Sequence, residues 1–155
     1  TTFNWVTQFD DPREYLRYPT GMEDVFGAKF RAHLALAVPT GFAYLAVAAL
    51  WYPVTDLLVG AIVFPLVSVY VYGLTAYLTG LSANELLFDT PLFAAFGAGM
   101  ALLAVPLLVA ALAAGTAPML AAGGAIGLSV LAALVGSALV RRAGPRWDRK
   151  LRTGD

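Results

Sequence analysis

Residues 57–79 read LLVGAIVFPLVSVYVYGLTAYLT, and no charged side chain interrupts them. Three further stretches share this character, at 34–52, 91–114 and 118–140. At a rise of about 1.5 Å per residue, each is long enough to cross a hydrocarbon core about 30 Å thick. Backbone groups inside lipid must be hydrogen-bonded within their own segment, and these stretches do not alternate in polarity. The pattern therefore predicts an all-α integral membrane protein with four transmembrane helices.

The composition of the whole chain favours the same class. Of its 155 residues, 59% are hydrophobic and only 13% are charged, about half the charged fraction of a typical soluble domain. So few polar side chains cannot form a water-facing shell around a core of this size. We therefore expect lipid to surround the apolar exterior.

The connections and the basic residues predict the topology. Short links at 53–56 and 115–117 join the stretches into two antiparallel hairpins, and a longer link at 80–90 joins the hairpins. All ten Lys and Arg residues lie before position 32 or after position 140. Since cytoplasmic flanks collect basic residues, we expect a multi-pass protein of the cell membrane. Both termini, the 80–90 link and a basic tail at 141–155 would then lie in the cytoplasm.

The segment at 20–33 is predicted to be an amphipathic helix on the inner membrane surface. It follows a polar N-terminal segment, 1–19, and leads into the transmembrane domain at 34–140. Thr20 and Glu23 have the spacing of a capping box, in which each side chain binds a free backbone N–H at the helix start. One arc of this helix is apolar and is expected to face lipid; it consists of Met22, Val25, Phe26 and Phe30.

Lys29 projects into that apolar arc, and two interpretations of it remain open. Its long stem can reach along the helix so that its ammonium group contacts lipid phosphates. Alternatively, Lys29 anchors a partner protein or the neighbouring helix of its own chain.

A stripe of hydroxyl groups runs along the second span. Spacings of four, three and four residues place its members on one side of the helix, with Tyr70 on the opposite side. Hydrogen bonding between helices is one interpretation of such a stripe, and a substrate path is the other. The stripe consists of Ser68, Tyr72, Thr75 and Thr79.

Two further patterns predict local structure. Gly123 and Gly127 form a GxxxG motif in the fourth span, which indicates close contact with another helix. In the 80–90 link, a short surface helix is expected, followed by Asp89 or Thr90 as the cap of the third span.

The sequence offers no chemistry for an enzyme. It has no cysteine and a single histidine, His33, and no span contains an ionisable Asp, Glu, Lys or Arg. Hydrolase, metalloprotease and phosphate-binding motifs are lacking too. Glu85 and Asp89 have the spacing of two metal-binding carboxylates, but solvated helix ends or partner contacts are the favoured interpretation. We therefore expect no catalytic residue, cofactor, metal or nucleic-acid partner.

The run at 15–31, YLRYPTGMEDVFGAKFR, resembles the cytoplasmic segment of permease subunits of type-2 ABC exporters. In that family, a Pro, a small hydroxyl residue, an acidic residue and a Lys recur on a coupling helix that docks on a separate ATPase. Four spans and a short basic tail follow it, as they do here. The resemblance assigns the docking role to Pro19, Thr20, Glu23 and Lys29.

The chain departs from that family in two respects. Permeases of this class have two spans before the coupling helix, whereas only 19 residues precede it here. The chain therefore resembles the C-terminal part of such a permease, or a truncated relative. The usual Gly before the Lys is replaced by Ala28, with Gly27 one position earlier.

Two functions are expected from these observations. By resemblance, the chain is the permease of an ATP-driven exporter, with membrane lipid around it and a cytoplasmic ATPase as its partner. Four spans are few for a complete path, so a homo- or hetero-oligomer is expected. The alternative is a small structural or assembly subunit of a larger membrane complex, without transport activity of its own.

Overall fold

Four long helices dominate the computed structural model, which describes residues 14–17, 20–82 and 89–153. All four are long and apolar enough to cross a membrane, and no strand occurs in the described ranges. The predicted all-α fold with four transmembrane helices is thus confirmed. The helices are α1 (Met22–Ala48), α2 (Val54–Thr79), α3 (Thr90–Ala113) and α4 (Pro118–Thr153), and a 3₁₀ turn (Glu14–Arg17) precedes them.

Helices α2 and α4 form the centre of the bundle, because each of them packs against all three other helices. The most extensive interface in the bundle joins these two helices. Helices α1 and α2 are neighbours, as are α3 and α4, so the two predicted hairpins are present. A Cβ atom added to Gly73 of α2 would overlap the carbonyl group of Gly136 of α4. The two backbones therefore touch where these helices cross.

The bundle exposes large apolar side chains along its length. Tyr44 is 74% exposed, Leu102 78% and Leu120 80%. In water such a surface would be unfavourable, at about 25 cal/mol per Å² of apolar area. Acyl chains remove that cost, so the exposed residues are consistent with a bundle surrounded by lipid.

Helices α1 and α4 are longer than their predicted spans. Helix α1 has 27 residues and α4 has 36, which correspond to about 40 and 54 Å. Residues 22–33 are the first turns of α1 rather than a separate surface helix, and residues 141–153 continue α4. Both extensions lie at the same end of the bundle, which we call the basic end and define as residues 20–33, 72–82 and 141–153.

The predicted cap of α3 is present, and the interior prolines do not interrupt the helices that contain them. Asp89 caps α3, since its Oδ1 accepts a hydrogen bond from the backbone N–H of Leu92 at 3.0 Å. Helices α1, α2 and α3 continue without a break through their interior prolines. A surface helix is also predicted in the 80–90 link, but residues 83–88 of that link lie outside the described residues.

The predicted contact at Gly123 and Gly127 is wrong within this chain. A Cβ atom added to either glycine would have no neighbour within 4 Å, so both face open space. The close helix contact of α4 is instead at Gly136, about two and a half turns further along.

Candidate partner-docking surface

The segment that resembles a coupling helix forms the start of α1, at the basic end. Gly21 is the residue before the first turn, with an extended backbone (φ −70°, ψ 151°). Its carbonyl accepts hydrogen bonds from the N–H groups of Asp24 and Val25, at 3.0 and 3.4 Å. Helix formation therefore starts directly after Gly21, and the preceding residue, Thr20, lies outside the helix.

The predicted capping box is not formed. Its geometry requires Thr20 at the cap position and Glu23 three residues into the helix, whereas Gly21 occupies the cap position and makes no side-chain hydrogen bond. Shifting the helix start by one residue removes Thr20 from reach of the free N–H groups. Thr20 and Glu23 are both exposed, so their polar groups remain available to a partner.

The apolar arc of this segment is buried against protein. Met22 is 3% exposed and Phe26 is fully buried, in a cluster with side chains of α2 and α4. The hydroxyl of Tyr72 on α2 donates a hydrogen bond of 3.0 Å to the carbonyl of Phe26. The expectation that this arc faces lipid is therefore wrong, because α2 and α4 reach far enough to cover it.

Helix α4 also contacts the backbone of the same segment. A Cβ atom added to Gly144 would lie 2.7 Å from the Cα atom of Glu23, which means that the two backbones are in direct contact. Ala143 and Trp147 are both buried next to this contact. The first turns of α1 are thus held by two helices, α2 and α4, while the side chain of Glu23 stays exposed.

Two further residues, Lys29 and Pro19, are assigned to docking by resemblance. Lys29 is half-buried, two turns into α1, and belongs to the same end of the bundle. Pro19 lies outside the described residues. The structure therefore brings Thr20, Glu23 and Lys29 to the basic end.

The predicted hydroxyl stripe of α2 is buried among the helices. Ser68, Thr75 and Thr79 each donate a hydrogen bond to the carbonyl four residues earlier in α2, at 2.8 to 2.9 Å. Of the four stripe hydroxyls, only that of Tyr72 is bonded to another helix. Tyr70, on the opposite side of α2, donates a hydrogen bond of 2.7 Å to the carbonyl of Gly99 in α3.

His33 is a buried residue whose position the sequence analysis did not use. It is 5% exposed, and its ring centroid lies 5.1 Å from that of Tyr72. Among the described residues, neither ring nitrogen forms a well-aligned hydrogen bond, and the backbone of Ser68 is its polar neighbour. The burial of His33 could have been predicted from helical spacing. His33 comes seven residues after Phe26, about two turns, so both lie on the apolar arc.

A group of cations occupies the outer side of α4 at the basic end. Arg146 lies over the ring of Tyr77 from α2, with its guanidinium carbon 4.3 Å from the ring centroid. Further along, the Nε atom of Arg152 is 2.9 Å from a carboxylate oxygen of Asp148. This hydrogen bond raises the pKa of Arg152, so its positive charge is retained and matched by a neighbour.

The described residues contain no group of three or more His, Cys, Asp or Glu side chains that could hold a metal ion. Asp89, one of the two carboxylates considered for a metal, instead caps α3, and Glu85 lies outside the described residues. No known protein family, curated protein sequence or solved structure matches the chain significantly.

Proposed function

We propose that this chain is the membrane-spanning permease component of an ATP-driven ABC-type exporter, with the start of α1 docking on a separate ATPase. Its environment would be the cell membrane, with both termini in the cytoplasm. The proposal rests on the resemblance of residues 15–31 to a coupling helix and on the way in which the bundle holds that segment.

One structural observation carries the proposal furthest. The segment that would meet the ATPase is continuous with α1, and its apolar arc is clamped between α2 and α4. Thr20 and Glu23 remain exposed at its tip. A force applied there would pass into three transmembrane helices through buried contacts rather than into a separate helix on the membrane surface.

The mechanism would be a change of helix packing driven from the basic end. ATP-dependent closure of the ATPase would displace the start of α1, and the contacts at Phe26 and Gly144 would transmit the displacement to α2 and α4. The described bundle would be one of two packing states, and nucleotide binding would change their populations. The chain itself would contribute a docking surface and part of a path.

The proposal is tested by purifying the tagged protein from its native membrane in mild detergent and measuring the ATPase subunit that comes with it. The wild-type chain is expected to retain an ATPase. Glu23→Ala should weaken the association about 30-fold or more and reduce the retained amount accordingly, because loss of a charged contact in a docking interface costs about 2 kcal/mol or more.

Asp56→Ala is the matched control, because Asp56 is an exposed carboxylate in the first turn of α2, at the opposite end of the bundle. It should leave the retained ATPase unchanged. Absence of any ATPase from the wild-type preparation would contradict the proposal, and so would an equal loss in both variants.

A second function is favoured by the packing of the hydroxyl stripe. Ser68, Tyr72, Thr75 and Thr79 are all 7% exposed or less, and they bond to backbone carbonyls rather than line an open space. Such a bundle suits a structural or assembly subunit of a larger membrane complex. A stoichiometric complex with other integral subunits, without any ATPase, would support this alternative.

A further inference from the structure

A surface pocket of about 450 Å³ lies at the basic end, between the end of α2 and the outer side of α4. Tyr77 of α2 forms part of its lining, and the cations of α4 form most of the rest. We propose that this pocket binds the phosphate-bearing headgroup of an anionic phospholipid. The inference requires only that the bundle spans a membrane, so it is independent of the proposed function.

The spacing of the cations along α4 creates the pocket. Arg142, Arg146 and Arg149 are four and three residues apart, so they project from one face of the helix. A different face, about 110° away around the helix, carries Ala143 and Trp147, which are buried against α1 and α2. The tertiary packing of α4 therefore turns all three guanidinium groups to the outside.

The positive charge of the pocket is not matched by a carboxylate in the part of the chain that the structure describes. Within α4, Arg152 forms an ion pair with Asp148, and neither of these residues lines the pocket. Five basic side chains do line it, and they favour an anionic ligand. They are Arg141, Arg142, Arg146, Arg149 and Lys150.

The geometry of the arginines suits a phosphate. A guanidinium group offers paired N–H donors that match two phosphate oxygens. The ring of Tyr77 holds Arg146 by a cation–π contact of 4.3 Å, which restricts the orientation of that donor group. A phosphate entering the pocket would thus meet at least one arginine that is already positioned.

The level of the pocket along the membrane normal favours a lipid over a free anion as its ligand. Arg141 and Arg142 follow the last apolar residue, Val140, without an interval. The rise from Arg142 to Arg146 is about 6 Å, similar to the headgroup layer of about 5–8 Å on each side of the core. The cations therefore lie at the level where phospholipid phosphates are found, and basic pockets between helices there bind anionic headgroups.

The surface of α4 next to the pocket suits the acyl chains of the same lipid. Leu131, Val135 and Ala138 are all exposed, and their spacing continues the face that carries Arg142. An apolar strip thus leads directly into a cationic pocket on one helix face. A phospholipid has this distribution of properties, whereas an acidic protein surface would leave the apolar strip unused.

Native mass spectrometry of the purified full-length chain tests the proposal. The probes are phosphatidylglycerol, phosphatidylcholine with the same acyl chains, and inorganic phosphate. Phosphatidylglycerol is expected to bind roughly 25-fold more tightly than phosphatidylcholine or better, because anionic lipid gains roughly fivefold in affinity for each of at least two nearby cations. Inorganic phosphate in hundredfold excess should not displace it.

Variants then localise the binding. Arg142→Gln combined with Arg146→Gln should weaken phosphatidylglycerol binding roughly 25-fold. Tyr77→Leu should weaken it roughly threefold, without a change of charge. The matched control is Arg31→Gln combined with Arg152→Gln, which removes two charges of the basic end outside the pocket and should change the affinity less than about twofold.

Three results would overturn the proposal. Equal binding of the two lipids would exclude headgroup recognition, and an equal loss in the control variant would mean general attraction between charges. Displacement by inorganic phosphate would identify a site for free anions. The comparison of the two lipids and the competition with inorganic phosphate both use the wild-type chain. They therefore test the proposal even if a variant fails to fold.

Discussion

At the scale of single residues, two glycines determine how closely the central helices approach. The backbones of α2 and α4 are in contact at Gly73 and Gly136, and a Cβ atom added to Gly136 would lie 2.5 Å from the Cα atom of Tyr70. Membrane helices have no hydrophobic driving force between them, so such close backbone contact supplies much of their association. Because the obstacle is backbone rather than a flexible side chain, a larger residue could be accepted only if a helix moved.

Gly136→Val should therefore lower the free energy of unfolding by about 2 kcal/mol or more. Thermal unfolding of the purified protein in detergent measures the effect. Gly127→Val is the matched control on the same helix, because its Cβ would enter open space, and it should stay within about 0.5 kcal/mol of the wild type. Equal destabilisation by both substitutions would show that α4 does not cross α2 at Gly136.

Gly80 is required at the end of α2 for a different reason. Its φ angle of +64° is the one positive value among the described residues, and a side chain in that conformation would be strained. The ring of Trp147 also lies 2.7 Å from where a Cβ atom would be. The backbone of Gly80 therefore both ends the helix and gives Trp147 its place in the core of the basic end.

At the scale of helices, Asp89 and Thr20 both precede a helix, but only Asp89 caps one. Asp89 binds the N–H of Leu92 and caps α3, whereas Thr20 lies one residue too early to cap α1. Both sites follow the sequence preference for a short polar side chain before a helix. The difference lies in where the helices begin, because Asp89 itself occupies the cap position of α3 whereas Gly21 occupies that of α1.

Asp89→Ala should lower the free energy of unfolding by about 1 kcal/mol, since it removes an N-terminal cap. Hydrogen exchange at the amide of Leu92 should become faster as well. Thr20→Ala should change neither the stability of the bundle nor exchange at the start of α1. Asp89→Asn retains a capping oxygen and should restore most of the loss; failure to do so would contradict the capping role.

The lengths of α1 and α4 have a functional consequence at the same scale. Both extend beyond a hydrocarbon core of about 30 Å, and both extensions lie at the basic end. Their inner faces pack together, so a single folded unit carries the exposed Glu23 on one side and the pocket arginines on another. Docking and lipid binding would therefore act on one connected structure.

At the scale of the whole molecule, the distribution of charge predicts the orientation. Basic residues at the end with both termini should remain in the cytoplasm, since moving them across the membrane is unfavourable. The chain has no cysteine, so single introduced cysteines report on topology without interference. Thr116→Cys, in the turn between α3 and α4, should react with an impermeant maleimide from outside intact cells.

Thr153→Cys, at the end of α4, should react with the same reagent only after the cells are permeabilised. Thr116 and Thr153 are both exposed, so access differs only through the membrane. The opposite labelling pattern would place the basic end outside the cell. It would also contradict docking on a cytoplasmic ATPase.

Much of the fold could be predicted before the structure was known. The apolar stretches gave the number of helices, and the short links gave the two hairpins, because lipid tolerates few other arrangements of backbone. The predicted span at 57–79 agrees closely with α2, which is Val54–Thr79. The first span was predicted to begin at residue 34 and the fourth to end at residue 140, whereas α1 begins at Met22 and α4 ends at Thr153. A helix can continue into the polar residues outside the hydrocarbon core, so the limits of the apolar stretch do not mark the ends of the helix.

Less of the candidate site could be predicted. The sequence indicated which residues of α1 form an apolar arc, but it could not indicate whether lipid or protein covers Met22 and Phe26. It also selected Gly123 and Gly127 as contact residues, although Gly136 makes the contact. Small residues permit close approach wherever they occur, and only the crossing of two particular helices decides which of them is used.

The sequence by itself determined the class of this protein, the number of its spans and the concentration of positive charge at its two ends. These properties follow from the transfer of each segment between water and lipid, which depends on local composition. The tertiary structure alone decided that Tyr72 bonds to Phe26, that Gly144 supports Glu23, and that the arginines of α4 share a pocket with Tyr77. Each of these joins residues far apart in the chain, so each depends on how the helices pack rather than on the order of residues within any one of them.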